Sequence, residues 1–290
     1  MATGDPGSPA SPTTAELKVS DGCAPLWPLP AASVKAIAFD CYGTLVDFGE
    51  HHFIDLMDVV CLRNELGIEG KALWDRWLEA SKEIWSEWGR DRENPTAGPE
   101  PRFGTYDELW TEQFRRAFNQ MEMEGDAQGA YDLMIEHARQ APPYPETREV
   151  LEQLRPLYRL CVLSNADDNW LHPCLEAGGL QFDLIVSSES AQSYKPRKRI
   201  FHHAAELLGL PPEEVLYVGD SPFADVLGAR NAGMPVAWVN RYGAKLPDTV
   251  PAPDLEITDL RGLVENLTPR PPLHRAATER GDRWLRVAGR

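Results

Sequence analysis

Four short polar clusters in this 290-residue chain hold residue types able to do chemistry. They are Asp40-Cys41-Tyr42-Gly43-Thr44, Ser164-Asn165, Lys195-Pro196 and Gly219-Asp220-Ser221-Pro222-Phe223-Ala224-Asp225. Asp40, Asp220 and Asp225 offer carboxylates, Lys195 an ammonium, and Thr44 and Ser164 hydroxyls that can donate to an anionic group. Gly43 lets the chain fold sharply away behind Asp40. If the three carboxylates converge on one small volume, they cannot all stay ionised without compensation. Lys195 offsets one charge, and a hard divalent cation with oxygen ligands offsets the rest. Each residue also has a plainer reading. Asp40 can cap the turn that follows it, Thr44 and Ser164 can be local turn hydroxyls, Lys195 a solvated loop cation, and Asp225 a charge on a helix surface.

The elements that must position these clusters are legible as two textures. Short β-branched runs, Val34–Asp40, Leu160–Asn165, Asp183–Ser188, Val215–Asp220 and Pro235–Asn240, have the length and uniform apolarity of strands covered on both faces. Helical stretches separate the last four: Asn169–Gly178, Pro196–Leu208 and Pro222–Gly233, with Pro145–Leu157 ahead of the second run. In Pro222–Gly233, Ser221 fits the N-cap, Pro222 the first turn and Gly233 the residue past the end. Strands alternating with helices predict an α/β fold with a doubly wound parallel sheet. Residues 51–140 differ, holding four helix-like stretches and no strand: His51–Leu66, Gly70–Trp88, Thr105–Met121 and Ala127–Gln140. Such a crossover far exceeds what a βαβ unit requires, so it reads as an inserted α-helical cap domain beside the end of the first strand. The expected division is a core of 31–50 and 141–268, a cap of 51–140, a disordered N-terminal extension 1–30 and a basic tail 269–290.

Composition narrows the class further. Hydrophobic residues make up 42% and charged residues 26%, which is globular. No run approaches the roughly 20 apolar residues of a membrane span, and the N-terminus lacks the basic start and apolar stretch of a secretory signal. Lys plus Arg of 29 against Asp plus Glu of 45 gives a net charge of −16, which argues against nucleic-acid or anionic-membrane partners. Five cysteines without a CxxC indicate neither a disulfide framework nor a cysteine zinc site. The expectation is a soluble, cytoplasmic protein acting on a small molecule. Trp74, Trp77, Trp85 and Trp88 are expected to pack a helix face, and Cys41 to be buried as a small apolar group. The neighbours His51 and His52 are expected to be poor joint metal ligands, Asp47 to cap the first cap helix, and Arg197, Lys198 and Arg199 to be surface charges.

The four clusters, in this order and with a helical insertion after the first, resemble the motifs of the haloacid dehalogenase superfamily of hydrolases across roughly residues 33–268. The resemblance implies a Rossmann-type core with its site in the cleft beneath the cap. It implies Asp40 as a nucleophile forming a covalent intermediate, Thr44, Ser164 and Asn165 as substrate-binding groups, and Lys195 as the cation beside the nucleophile. Asp220 and Asp225 match the acidic fourth motif of the family's magnesium-dependent phosphatases. There Mg²⁺ would be held by Asp40, the Tyr42 main-chain carbonyl and Asp220, with Asp225 behind. Tyr42 points elsewhere, because those phosphatases usually have Asp at that position as general acid and base. A Tyr there resembles the metal-free 2-haloacid dehalogenases. That branch, however, replaces the acidic fourth motif with Ser and Asn, and carries an arginine after a Leu-Trp pair to bind the substrate carboxylate. Here Leu73-Trp74 is followed by Asp75, with Arg76 about 100° further round the helix. The leading expectation is a Mg²⁺-dependent phosphatase working through Asp40. The alternatives are a metal-free dehalogenase and a non-catalytic ligand-binding relative.

Overall fold

The computed structural model describes residues 33–91 and 94–267. The expectations for both termini lie outside the described residues. The β-branched runs become strands β1 (Ala36–Phe39), β2 (Arg159–Ser164), β3 (Leu184–Ser187), β4 (Val215–Gly219), β5 (Val236–Val239) and β6 (Leu255–Ile257). They form one parallel sheet in the order β3-β2-β1-β4-β5-β6. Alternate residues of each strand enter two separate apolar clusters. Ile37, Phe39, Leu160, Val162, Leu216 and Val218 pack on one face, while Ala36, Ala38, Cys161, Leu163, Val215 and Tyr217 pack on the other. Both faces are therefore covered, which is why the sequence runs show no polar alternation.

The chain between β1 and β2 begins with four helices: α1 (Glu50–Arg63), α2 (Gly70–Glu87), α3 (Tyr106–Gln120) and α4 (Ala127–Arg139). Side-chain oxygens of Thr105 and Asp126 cap α3 and α4 by accepting from the Glu108 and Gly129 N–H groups. The remaining helices flank the sheet: α5 (Thr147–Leu154), α6 (Asp168–Ala177), α7 (Ser188–Ala191), α8 (Lys198–Leu208), α9 (Gly228–Asn231) and α10 (Arg261–Asn266). The two chain passages into and out of the helical insertion are tied together: Val46 bridges Pro143, and Asp47 N–H donates to the Pro142 carbonyl at 2.8 Å.

Several expectations need correction. Sequence periodicity missed β6, α7 and α10, because three to six residues are too few to show a period. The helix expected at Pro222–Gly233 opens as a π-helical turn, Pro222–Leu227, before α9. Its cap is as expected, with Ser221 Oγ accepting from Ala224 N–H at 3.1 Å. Asp47 does not cap α1. Gly49 holds that position, and Asp47 lies beside His51, 4.0 Å away. The rings of His51 and His52 approach to 4.0 Å, so in the first helical turn these neighbours do not diverge. Arg197 is buried rather than a surface charge. Its guanidinium donates to the carbonyls of Ala97, Gly98 and Pro99 and pairs with Glu100, which pins the loop between α2 and α3 to the core.

Candidate active site

Strand order sets the location. The order reverses at β1, whose neighbours β2 and β4 lead to opposite edges, and ligands of open parallel sheets bind outside the carboxyl ends of strands at such a switch point. Asp40 directly follows β1, Ser164 ends β2, and Asp220 directly follows β4. Asp40 N–H still donates to the Val218 carbonyl at 2.8 Å, so the sheet ladder continues to this residue and fixes its direction.

Two glycines let the acidic groups close in. Gly43 has φ +87°, and a Cβ there would lie 2.6 Å from Asp220 Oδ2. A Cβ on Gly219 would meet the Asp225 carboxyl at 2.4 Å. Asp40, Asp220 and Asp225 each present an oxygen within 4.8 Å of the others. The convergence drawn from the sequence is thus present in three dimensions.

Lys195 organises the cluster from below. Its side chain is 2% exposed, and its three ammonium donors go to Asp40 Oδ1 at 2.6 Å, Asp225 Oδ1 at 2.7 Å and Tyr217 Oη at 2.8 Å. Burial disfavours its charge, but the Asp225 and Asp40 carboxylates outweigh that, and the lysine is held more firmly protonated than in water. Ser164 Oγ donates to the same Asp40 Oδ1 at 3.1 Å. Even so, burial pushes the Asp40 carboxyl above its ordinary value, with Lys195 opposing and Asp225 adding to the rise. Asp220 is pushed up to about 8, first by burial and then by Asp40 and Asp225. One ammonium does not balance three carboxylates.

Other candidates take roles that differ from those expected. Thr44 Oγ1 donates to Asp220 Oδ1 at 3.0 Å, which orients the carboxylate rather than reaching into the cleft. Asn165 brackets the backbone of Lys195, accepting from its N–H at 2.8 Å and donating to its carbonyl at 3.2 Å. Its amide thus positions the lysine. Asp225 Oδ1 accepts from Lys195 and Tyr217, and Oδ2 from Ser221 N–H at 2.9 Å. With both oxygens so engaged, it holds Lys195 in place and is unsuited to ligate a metal directly. Tyr42 packs on Trp170 at 4.7 Å between ring centroids and on Phe48 at 5.7 Å, so its ring forms a wall of the site.

Sequence reasoning missed Tyr217, whose hydroxyl accepts from Lys195 and has the Asp225 carboxylate and the Leu163 carbonyl as acceptors at 3.0 and 3.1 Å. A tyrosine inside the otherwise apolar run VLYVG was the available signal. It also missed Asp167, buried beside the start of α3, where it accepts from Asp107 N–H at 3.1 Å and burial lifts it to about 6. On α2, Asp75 pairs with Lys71, and Arg76 pairs with Glu79 at 2.6 Å on the exposed face. Neither residue supplies a cation to Asp40.

The comparisons with known proteins agree with this architecture. The family profile described as haloacid dehalogenase-like hydrolase matches residues 34–233. Haloacetate dehalogenase H-2 of Moraxella sp. (strain B) is 30% identical over 234 residues, covering 80% of this chain and 96% of its own. A phosphoserine phosphatase of Thermus thermophilus is 32% identical over 197 residues, covering 66% of this chain and 71% of its own. The L-2-haloacid dehalogenase RSc1362 superposes with a TM-score of 0.65 at 24% identity, over 81% of this chain and 99% of that one, which shows the shared fold. By name, the full-length matches favour carbon–halogen hydrolysis over phosphate removal, while phosphatases stand among the relatives as well.

Proposed function

The chain belongs to the haloacid dehalogenase-like hydrolases, and from that premise we propose that it hydrolyses a small phosphate ester, with Asp40 as covalent nucleophile and Mg²⁺ as cofactor. The observation that carries this reading is the cluster of Asp40, Asp220 and Asp225 around a single lysine. A divalent cation fits the donor set: hard oxygens, an excess of negative charge, and an Asp220 carboxyl pushed up by burial and by its acidic neighbours. Asp40, Asp220 and the Tyr42 carbonyl would hold it, with Asp225 behind. When bound, Mg²⁺ supplies positive charge that lets an anionic phosphate approach these carboxylates.

The protein's own groups define the rest of the chemistry. Lys195 and Ser164 both donate to Oδ1 of Asp40, which leaves Oδ2 to attack phosphorus. The P–O bond to the leaving group breaks as the aspartyl-phosphate forms. Water then attacks that phosphorus, releasing inorganic phosphate and restoring the carboxylate. Tyr42 provides no carboxylic acid for the leaving oxygen, and positioned proton donors typically contribute about 10²–10⁴ in rate. Substrates with acidic, aryl-type leaving groups are therefore favoured over sugar phosphates.

A second reading has its own support: carbon–halogen hydrolysis, favoured by the names of the full-length relatives and by the apolar wall of Tyr42 and Trp170. Against it stand Asp220 and the absence of an α2 arginine directed at the nucleophile. One paired assay separates the two. The protein is given 2-chloropropionate, 4-nitrophenyl phosphate and a sugar phosphate, each with Mg²⁺ or with chelator. Mg²⁺-dependent phosphate release, strongest from the aryl ester and lost in Asp40→Asn, is expected. Chloride release that persists in chelator, without phosphatase activity, would establish the second reading instead.

A further inference from the structure

A cleft of about 370 Å³ lies where the helical insertion meets the loops that carry the reactive groups. Its core side is formed by Pro196, which follows Lys195, and by Phe223, which lies between Asp220 and Asp225. Phe223 is 49% exposed, on the π-helical turn between two of the site's acidic residues. The opposite side is formed by Lys82 and Trp85 of α2 and by Arg90 just beyond it. The Arg90 guanidinium stands over the Trp85 ring, 4.8 Å from its centroid.

From Trp85 at the cleft, packed rings lead through the protein interior to Tyr42, two residues after the nucleophile. Trp85 contacts Tyr194 at 4.9 Å, Tyr194 contacts Tyr106 at 5.6 Å, Tyr106 contacts Trp170 at 5.7 Å, and Trp170 contacts Tyr42 at 4.7 Å. The charged residues described as lining the cleft are both cationic, in a protein of net charge −16. Local charge opposed to the overall field selects what can settle there. A flat apolar ring meets Trp85 and Phe223, and an anionic group beyond it meets Lys82 and Arg90.

Resting on the reading of Asp40 as nucleophile, we propose that this cleft is the leaving-group subsite and that it selects aryl substrates bearing a second, distal anionic group such as a carboxylate. In this arrangement the scissile group sits at Asp40, the ring against Trp85 and Phe223, and the carboxylate towards Lys82 and Arg90. This is the substrate class that also suits a site without a strong proton donor, because phenolate leaves with little assistance.

The test separates the subsite from the reaction. 4-Hydroxybenzoate and its neutral analogue 4-hydroxybenzamide, the product alcohols of matched aryl phosphates, are titrated calorimetrically into the full-length protein at low salt. Two partly exposed charge contacts predict about five- to tenfold tighter binding of the carboxylate, weakening with added salt. R90Q and K82Q, checked for unchanged melting, are each expected to reduce that ratio, and together to bring it near one. In turnover, the kcat/KM ratio of 4-carboxyphenyl phosphate to 4-carbamoylphenyl phosphate is expected to fall in parallel, through KM. Equal binding of the two ligands, or a preference that survives both substitutions, overturns the subsite. Preferential carboxylate binding without turnover of either ester would retain the subsite and overturn the phosphatase reading alone.

Discussion

Lys195 touches Asp40, Asp225 and Tyr217 with its three ammonium donors, so its removal leaves two buried carboxylates facing each other. Lys195→Met is expected to lower stability by about 3–5 kcal/mol, the usual cost of breaking a buried charge pair, and to abolish turnover. Denaturant unfolding at neutral pH measures the first effect, and a loss below about 1 kcal/mol would contradict the assigned network. Asp220 leads to a pH prediction. Its carboxyl titrates near 8 in the folded protein, above the ordinary value, so the folded state binds the extra proton. Its contribution to stability is present at acid pH and is lost as pH rises towards 8. The metal-free protein should therefore melt lower at pH 8 than at pH 6, with a shallower slope in Asp220→Asn. Because a cation replaces that proton, the rise in melting temperature caused by Mg²⁺ should be larger at pH 8 than at pH 6. A metal shift independent of pH would show that Asp220 is not a ligand.

The turn behind β1 and the loop after α2 are the elements on which the site depends. Gly43 combines a positive φ with contact against Asp220. Gly43→Ala is expected to cost about 1–3 kcal/mol in backbone strain and to displace Asp220, so that Mg²⁺ binding weakens together with stability. Calorimetric metal titration of a variant that still folds checks this, and unchanged affinity would refute it. Arg197 anchors the segment Ala97–Glu100, just beyond Pro95 of the proposed leaving-group cleft. In Arg197→Ala three carbonyls lose a charged donor. Faster amide exchange across residues 97–103, and a loss of about 1–3 kcal/mol, are expected. Unchanged exchange there would mean the loop is held by other contacts.

At the scale of the whole molecule, the insertion α1–α4 joins the core through two adjacent passages near Phe48-Gly49 and Pro142-Pro143. We propose that residues 51–140 act as a cap, closing over bound substrate to exclude water. Vanadate with Mg²⁺, as a phosphate mimic, should slow amide exchange at both passages and along the packed rings around Tyr106 and Trp85. No change in either place would count against closure. Among the described residues no helix is long and apolar enough to cross a membrane.

Strand identity, the position of the helical insertion and the four polar clusters were legible in the sequence because each depends on local pattern. Apolar runs such as VKAIAF become strands buried on both faces, and DCYGT or GDSPFAD must form turns wherever those strands end. Short elements were not legible: β6 and α10 have too few residues to show a period, and they form through contacts with β5 and α5. Tertiary structure alone decided how the site's donors are used. Thr44 and Asn165 have the residue types of ligand-binding groups, yet the fold aims Thr44 at Asp220 and Asn165 at the Lys195 backbone. Tyr217 reads as one more apolar strand residue until β4 sets its hydroxyl against Lys195. Arg197 reads as a surface charge until the loop at 97–100 closes over it. Partners so distant in the chain are set by how the sheet and the insertion pack, and no local pattern in the sequence encodes that.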